Sequence, residues 1–386
     1  MNAVSLLAEI GDVGRDRWRG GYSRHVFEPA ETELREWFTE QARRRGLDVE
    51  TDRNGNLWAW SGMPGPGAVV TGSHLDSVPG GGAFDGPLGV VSALEAIHAV
   101  RGPAAVVVFA EEEGGRFGVP CLGSRLLTGS IDAERAVALK DPAGMSVAEA
   151  ARSAGLDPAR FGRDDEALSR IGTFVELHVE QGRGLVGLGS PVAVGSTVIA
   201  HGRWRFSFSG QGNHAGTTSM ADRRDPMLPA AEVVSAARRV ACRAEGARAT
   251  VGRLVPRPGG TNVIASTVDL WLDARGGVPV DEIVAVAREA AAAEGCAVTV
   301  VEESASGEVT FDAGLRRALR SVLGDVPELP TGAGHDAAIL APHVPVAMLY
   351  VRNPTGISHA PEEFAEDADV EYGARALAAV LRDLST

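Results

Sequence analysis

The chain has 386 residues, 44% of them hydrophobic and 23% charged, a soluble globular balance with room for two domains. Lys and Arg number 37 against 51 Asp and Glu, a net charge of −14, which repels phosphate backbones and excludes nucleic acid as a partner. Cys121, Cys242 and Cys296 lie far apart, so a reducing, cytoplasmic setting is expected, with no disulfide framework, signal segment or membrane partner.

Residues 31–45 set Leu34, Trp37, Phe38 and Ala42 on one helical stripe. Residues 48–60 read as a hairpin turning at Asn54-Gly55. Three apolar runs then end in polar clusters: 68–71 into GSHLDS, 104–110 into EEEGG, and 174–177 into HVEQG, with a helix near 88–100 between the first two. Buried strands separated by helices predict a mostly parallel sheet covered on both faces, with a ligand beyond the carboxyl ends of its strands. The pattern changes near residue 196. An alternating run at 203–209 carries Trp204, Phe206 and Phe208 on one face. It is followed by a helix near 226–244, strands near 249–255 and 267–274, a helix near 281–294 and a strand near 297–303. That β-α-β-β-α-β order is ferredoxin-like. After about 308 the helix–strand–helix pattern resumes. The expected fold class is therefore α/β, with a mostly parallel-sheet domain of residues 1–195 and 309–386 and an inserted α+β domain of residues 196–308.

The densest chemistry lies in TGSHLDSVPGGGAFDG, residues 71–86. His74 and Asp76 are two apart, so a strand continuing through them points both side chains one way. Asp76 is then placed to accept the second ring N–H of a metal-binding His74. Asp85 follows in a glycine-rich loop from which a carboxylate reaches the same cation. In FAEEEGGRFG (109–118) three adjacent carboxylates, Glu111, Glu112 and Glu113, repel one another and need cations or raised pKa values to share a cleft. ELHVEQG (176–182) sets His178 between Glu176 and Glu180, and NPTGISHAPEEF (353–364) carries His359 in a loop. Each fragment alone also reads as a turn, a solvated acidic loop or a structural histidine. The weight lies in three histidines and at least two carboxylates at expected strand ends. Such nitrogen and oxygen donors suit Zn, Mn, Co or Ni. Five ligands exceed the needs of one tetrahedral zinc and point to two metals sharing a carboxylate. Cys121 reads as a small buried apolar residue.

Together these clusters resemble the M20 metallopeptidase superfamily, and within it the amidases of hydantoinase/carbamoylase type: allantoate amidohydrolases, N-carbamoyl-L-amino acid hydrolases and β-ureidopropionases. The resemblance runs in order through GGYSR, DRNGNLWAW, GSHLDS, GGAFDG, EEEGGRFG, GSRLLTG, ELHVEQG, NHAGTTSM, GGTNVIAS, LDAR, GAGHDA and GISHAPEEF. It implies a dimetal catalytic domain with an inserted lid and dimerisation domain, and a homodimer. It implies two divalent ions per subunit, zinc first with Mn, Co or Ni as alternatives, held by His74, Asp85, Glu113, His178 and His359, with Asp85 bridging. Glu112 becomes the general base, with Asp76 supporting His74 in the catalytic group. His214 becomes a catalytic and substrate-binding residue at the developing oxyanion. Gln181, Asn262, Arg275 and Gly334 match substrate-contacting positions, and His335 beside them receives no metal role. Ser219 and Tyr22-Ser23 depart from the pattern without touching a ligand. The implied substrate is a small ureido acid. Allantoate, giving ureidoglycine, ammonia and carbon dioxide, is the nearest match, and N-carbamoyl-L-amino acids or N-carbamoyl-β-alanine are the alternative. A wider-family peptidase or deacylase is disfavoured by the EGGRFG and HAGTT runs. A non-catalytic relative would lack a ligand or the base, and every such position is filled.

Overall fold

The computed structural model describes residues 2–385. They form two units, one comprising the chain up to Val198 and from Thr310 onward, the other Ile199–Val309. The strands, in chain order, are β1 (Asp48–Thr51), β2 (Leu57–Ser61), β3 (Ala68–His74), β4 (Ala104–Phe109), β5 (Ile171–Val179), β6 (Val192–Val198), β7 (His201–Ser209), β8 (Asn213–His214), β9 (Arg248–Arg257), β10 (Val263–Ile264), β11 (Thr267–Arg275), β12 (Ala297–Ser306), β13 (Val309–Thr310), β14 (Glu328–Thr331) and β15 (Val346–Val351).

The first unit is built on a nine-stranded sheet in the order β1-β2-β4-β3-β5-β15-β6-β13, with β14 also pairing with β6. Its centre, β4-β3-β5-β15, is parallel throughout. Every residue of β3, β4 and β15 is buried, which is why these segments read as unbroken apolar runs rather than alternating ones. Val175, Leu177, Leu349 and Val351 pack on one face against helices Ala3–Glu9, Pro87–Ala96, Ala313–Leu323 and Asp367–Leu384 through Leu6, Leu88, Val91, Leu319, Leu377 and Val380. On the opposite face Trp58, Phe109 and Phe174 meet edge-to-face across β2, β4 and β5. The sheet is flanked by antiparallel additions that a uniform alternation of strand and helix does not predict. The β1–β2 hairpin joins β4 antiparallel, and β6 runs antiparallel to β15. Residues 122–170 hold four short helices, Leu122–Thr128, Ala133–Ala138, Val147–Ser153 and Asp165–Arg170, which also lay outside the sequence expectation.

The second unit is a four-stranded antiparallel sheet, order β12-β7-β11-β9. Read by position in the chain, the order is last-first-third-second, the ferredoxin-like arrangement. Phe206 and Phe208 of β7 and Val268, Leu270 and Leu272 of β11 are buried beneath helices Met227–Ala241 and Val280–Ala293. A short β8–β10 ladder sits apart from this sheet. Among the described residues no helix is long and apolar enough to cross a membrane.

Candidate metal centre

The backbone opens the site before any side chain is considered. Strand β3 pairs with β5 only as far as Thr71 opposite Val175. Yet β3 stays paired with β4 up to His74 opposite Phe109, and β5 with β15 up to Val179 opposite Val351. The two central strands therefore part at their carboxyl ends. From β3 the chain passes through helix Pro87–Ala96 to β4 on one side, while the later strands β15 and β6 lie on the other. This is the switch point at which open α/β sheets bind ligands. His74 and His178 stand on its two lips, with ring centroids 5.8 Å apart.

Asp85 lies between them in the loop after β3 and is 3% exposed. Its Oδ1 is 3.5 Å from His74 Nε2 and 3.2 Å from His178 Nε2. Its Oδ2 is 3.5 Å from His359 Nε2, which in turn is 3.3 Å from Glu113 Oε2. Two donor triads result, His74–Asp85–His178 and Asp85–Glu113–His359, each with its ligand atoms within 4.8 Å of one another. The side chains fit divalent cations. His74 Nε2 is fully buried and has no hydrogen-bond partner. It faces Asp85 and, at 3.7 Å, Glu112 Oε2. Gly86 makes room for the ring: its φ is +85°, and a Cβ there would lie 2.5 Å from His74.

The electrostatics are those of acids crowded together with too little positive charge. Burial pulls the His74 imidazole down, but Glu112, Asp85 and Asp76 outweigh that and hold it well above its ordinary value. Burial pushes Asp85 up, but His178, His74 and His359 hold it well below the usual carboxylate range. Glu112 is pushed well up by burial and by Asp336 and Glu113, against the pull of His74. Burial and Asp85 push Glu113 well up. A cation in each triad relieves this repulsion.

Asp76 corrects one sequence expectation. Strand β3 ends at His74, so Asp76 lies outside the alternation, and its main-chain oxygen is the 3.0 Å partner of His74 Nδ1. Its carboxylate, 3.6 Å from that nitrogen, instead accepts the backbone N–H groups of Glu112 and Glu113 at 3.1 Å each. It therefore holds the acidic loop in place. His178 Nδ1 likewise contacts a main-chain oxygen, that of Val179, at 2.9 Å. Gln181 donates to Asp85 Oδ2 at 2.9 Å and to Ser358 at 3.2 Å. Gly334 has open space where a side chain would project. The neighbouring His335 packs edge-to-face on His178 at 4.6 Å. Glu176, His178 and His335 form a further buried group, but both Glu176 oxygens are occupied, by Ser73 Oγ at 2.8 Å and Ala337 N at 3.1 Å.

Sequence reasoning missed two supports. Glu363 accepts from Phe84 N and Asp85 N at 2.9 Å each, and Ser358 donates to Asp85 at 3.0 Å. The only signal was the PEE run after His359.

His214, Asn262 and Arg275 belong to the second unit. His214 lies in β8 opposite Val263, and Asn262 accepts from Ala215 N at 2.9 Å through its main-chain oxygen. Arg275 ends β11 and donates to Asp273 at 2.8 Å.

Residues 70–383 match the family model described as peptidase family M20/M25/M40, and the chain belongs to this family, whose members are metal-dependent hydrolases. More narrowly, it is an amidohydrolase of the carbamoylase and allantoate amidohydrolase group. It is 37% identical to the N-carbamoyl-L-amino acid amidohydrolase of Geobacillus stearothermophilus over 96% of this chain and 95% of that one. It is 30% identical to the allantoate amidohydrolase of Bacillus subtilis over 88% and 87%. A hydantoinase/carbamoylase family amidase from Burkholderia vietnamiensis has a crystal structure that superposes with a TM-score of 0.88, at 28% identity and covering 99% and 96% of the two chains. These relatives do not favour allantoate over N-carbamoyl amino acids.

Proposed function

We propose that the enzyme hydrolyses the ureido C–N bond of small N-carbamoyl-L-amino acids. The observation that carries this reading is Asp85, whose two oxygens face separate imidazole-bearing triads in a chain similar over nearly its whole length to an N-carbamoyl-L-amino acid amidohydrolase. Two divalent ions, zinc first, would be held by His74, Asp85 and His178 and by Asp85, Glu113 and His359. When bound, such a pair lowers the pKa of water and polarises the carbamoyl oxygen. Glu112 Oε2 takes the proton of the attacking water and returns it to the departing nitrogen. The products are the amino acid and carbamate, which breaks down to ammonia and carbon dioxide. Asp76 keeps Glu112 and Glu113 in register, and Gln181 and Gly334 border the substrate. His214, Asn262 and Arg275 are proposed, on the family resemblance, for the oxyanion, the ureido group and the substrate carboxylate. Arginine suits the last because its planar fork matches a carboxylate. A cytoplasmic homodimer belongs to the same proposal, and β9 and β12 are the edges of the second sheet that such a dimer would cover.

Allantoate is the second reading, supported by the Bacillus subtilis relative. The test is ammonia release from N-carbamoyl-L-amino acids, N-carbamoyl-β-alanine and allantoate, side by side, with metal stoichiometry measured on the same protein. A preparation holding two ions per chain that releases ammonia from none of these substrates overturns the proposal. Glu112→Gln is expected to abolish release while the ions stay bound.

A further inference from the structure

We infer that Cys121 is a positioning residue for Glu112: its thiol ties down one carboxylate oxygen so that the other alone faces the reacting water. This rests on Glu112 as the proton-transfer group. Cys121 is 2% exposed, and its Sγ donates to Glu112 Oε1 at 3.4 Å. The other oxygen, Oε2, is the one turned toward His74. The contact does not stand alone. Residues 121–123 wrap the acidic segment with their backbone N–H groups: Cys121 N to Glu112 O at 2.6 Å, Leu122 N to Glu111 O at 3.0 Å, and Gly123 N to Ala110 O at 2.9 Å. From the opposite side Asp76 accepts Glu112 N.

Glu112 is thus gripped at its N–H, its carbonyl and one carboxylate oxygen. Cys121 supplies two of the three contacts from a left-handed backbone conformation, φ 56°, which a non-glycine residue adopts only when its surroundings impose it. Burial and the nearby Glu112 and Asp336 carboxylates push the thiol well up, so it remains an S–H donor through neutral pH. A general base whose carboxylate can swing loses the near-attack geometry on which proton transfer depends.

Three variants test this: C121A, C121S and C121G, each assayed for kcat, KM and bound metal. Removing one hydrogen bond to a charged group predicts a fall in kcat of about tenfold in C121A, with KM and metal content unchanged. C121S keeps a donor and is expected to recover most of the loss. C121G has no donor and is unstrained at this left-handed position, so it is expected to behave like C121A, which covers the case in which C121A does not fold. Wild-type kcat in the folded donor-less variants, or equal loss in C121S and C121G, overturns the inference. Glu112→Gln separates this from the parent reading. If that variant keeps full turnover, the assignment of the base fails, whatever Cys121 does. If it is inactive while C121G is unimpaired, only the positioning role fails.

Discussion

Replacing Glu363 isolates how the two triads are held together, because this one carboxylate joins loops nearly 280 residues apart in sequence. Oε1 accepts the N–H groups of both Phe84 and Asp85 at 2.9 Å, and Oε2 accepts Ser358 Oγ at 3.3 Å, beside His359. Glu363→Ala leaves the buried Asp85 N–H and the part-buried Phe84 N–H without this acceptor, at about 1–3 kcal/mol for each such donor that water does not reach. It also removes the contact through which the His359 loop is registered on the Asp85 loop. The expected loss of global stability is about 2–5 kcal/mol, together with weakened metal binding at the Asp85–Glu113–His359 triad. Glu363→Gln keeps an amide oxygen in place of Oε1 and an NH2 that Ser358 can accept, so its expected loss is below about 1.5 kcal/mol. Urea unfolding with metal bound and with metal chelated measures the first quantity. Competition with a chromophoric chelator, resolving two affinities, measures the second. If Glu363→Ala binds both ions with unchanged affinity, the two loops are positioned by something other than this carboxylate.

Gly86→Ala forces a positive φ on a residue with a side chain and drives its Cβ to 2.5 Å from the His74 ring, so the ring must turn away. Loss of one bound ion per chain is expected, with a stability cost of about 1–3 kcal/mol, read by elemental analysis and thermal unfolding. Without ions the crowded acids hold His74 well above its ordinary value, and burial and Asp85 push Glu113 well up, so both side chains favour their protonated forms and must give up protons to bind. Metal uptake is therefore expected to release protons, with affinity rising as pH rises. Calorimetry in buffers of differing ionisation enthalpy counts them. Leu270→Ala, fully buried in the second unit, is expected to cost about 2–5 kcal/mol without changing metal stoichiometry, since all five proposed ligands lie in the first unit. Urea unfolding with elemental analysis checks both halves of that statement.

Much of the architecture is legible because it is local. Val268, Leu270 and Leu272 alternate with Asp269, Trp271 and Asp273, and that period alone puts β11 in a one-sided sheet. The apolar runs that end in GSHLDS, EEEGG and HVEQG lead to strands whose carboxyl ends carry His74, the acidic loop and His178. What escapes is whatever depends on a partner distant in sequence or on the residue where an element stops. Strand β3 ends at His74 rather than running on through Asp76, so the acceptor for His74 Nδ1 is a main-chain oxygen and the Asp76 carboxylate serves another loop. The helices between 122 and 170 are six or seven residues long, and the first three cluster with Phe117 and Phe161. A helix of one or two turns repeats too briefly for its period to register.

The three adjacent glutamates differ in surroundings that spacing leaves open. Glu111, Glu112 and Glu113 are chemically alike, and nothing in their order distinguishes them. The groups around them do. Glu111 has a positive φ, and its Oε1 takes the backbone N–H groups of Arg116 and Phe117. Burial and then Asp76 push it up to about 8, so near neutrality it persists largely as an acid that stabilises its own turn. Glu113 faces His359, and Glu112 faces His74 with one oxygen and Cys121 with the other. The same accounting sorts the remaining buried acids. Asp76, Glu176 and Glu363 each accept at least one backbone N–H through their carboxylates, whereas Asp85 turns both of its oxygens toward imidazoles. A buried carboxylate occupied by backbone donors is fixed as part of the scaffold, and one left facing imidazoles is available to a cation. Among these seven acids, Asp85, Glu112 and Glu113 are the ones that keep an oxygen facing His74, His178 or His359.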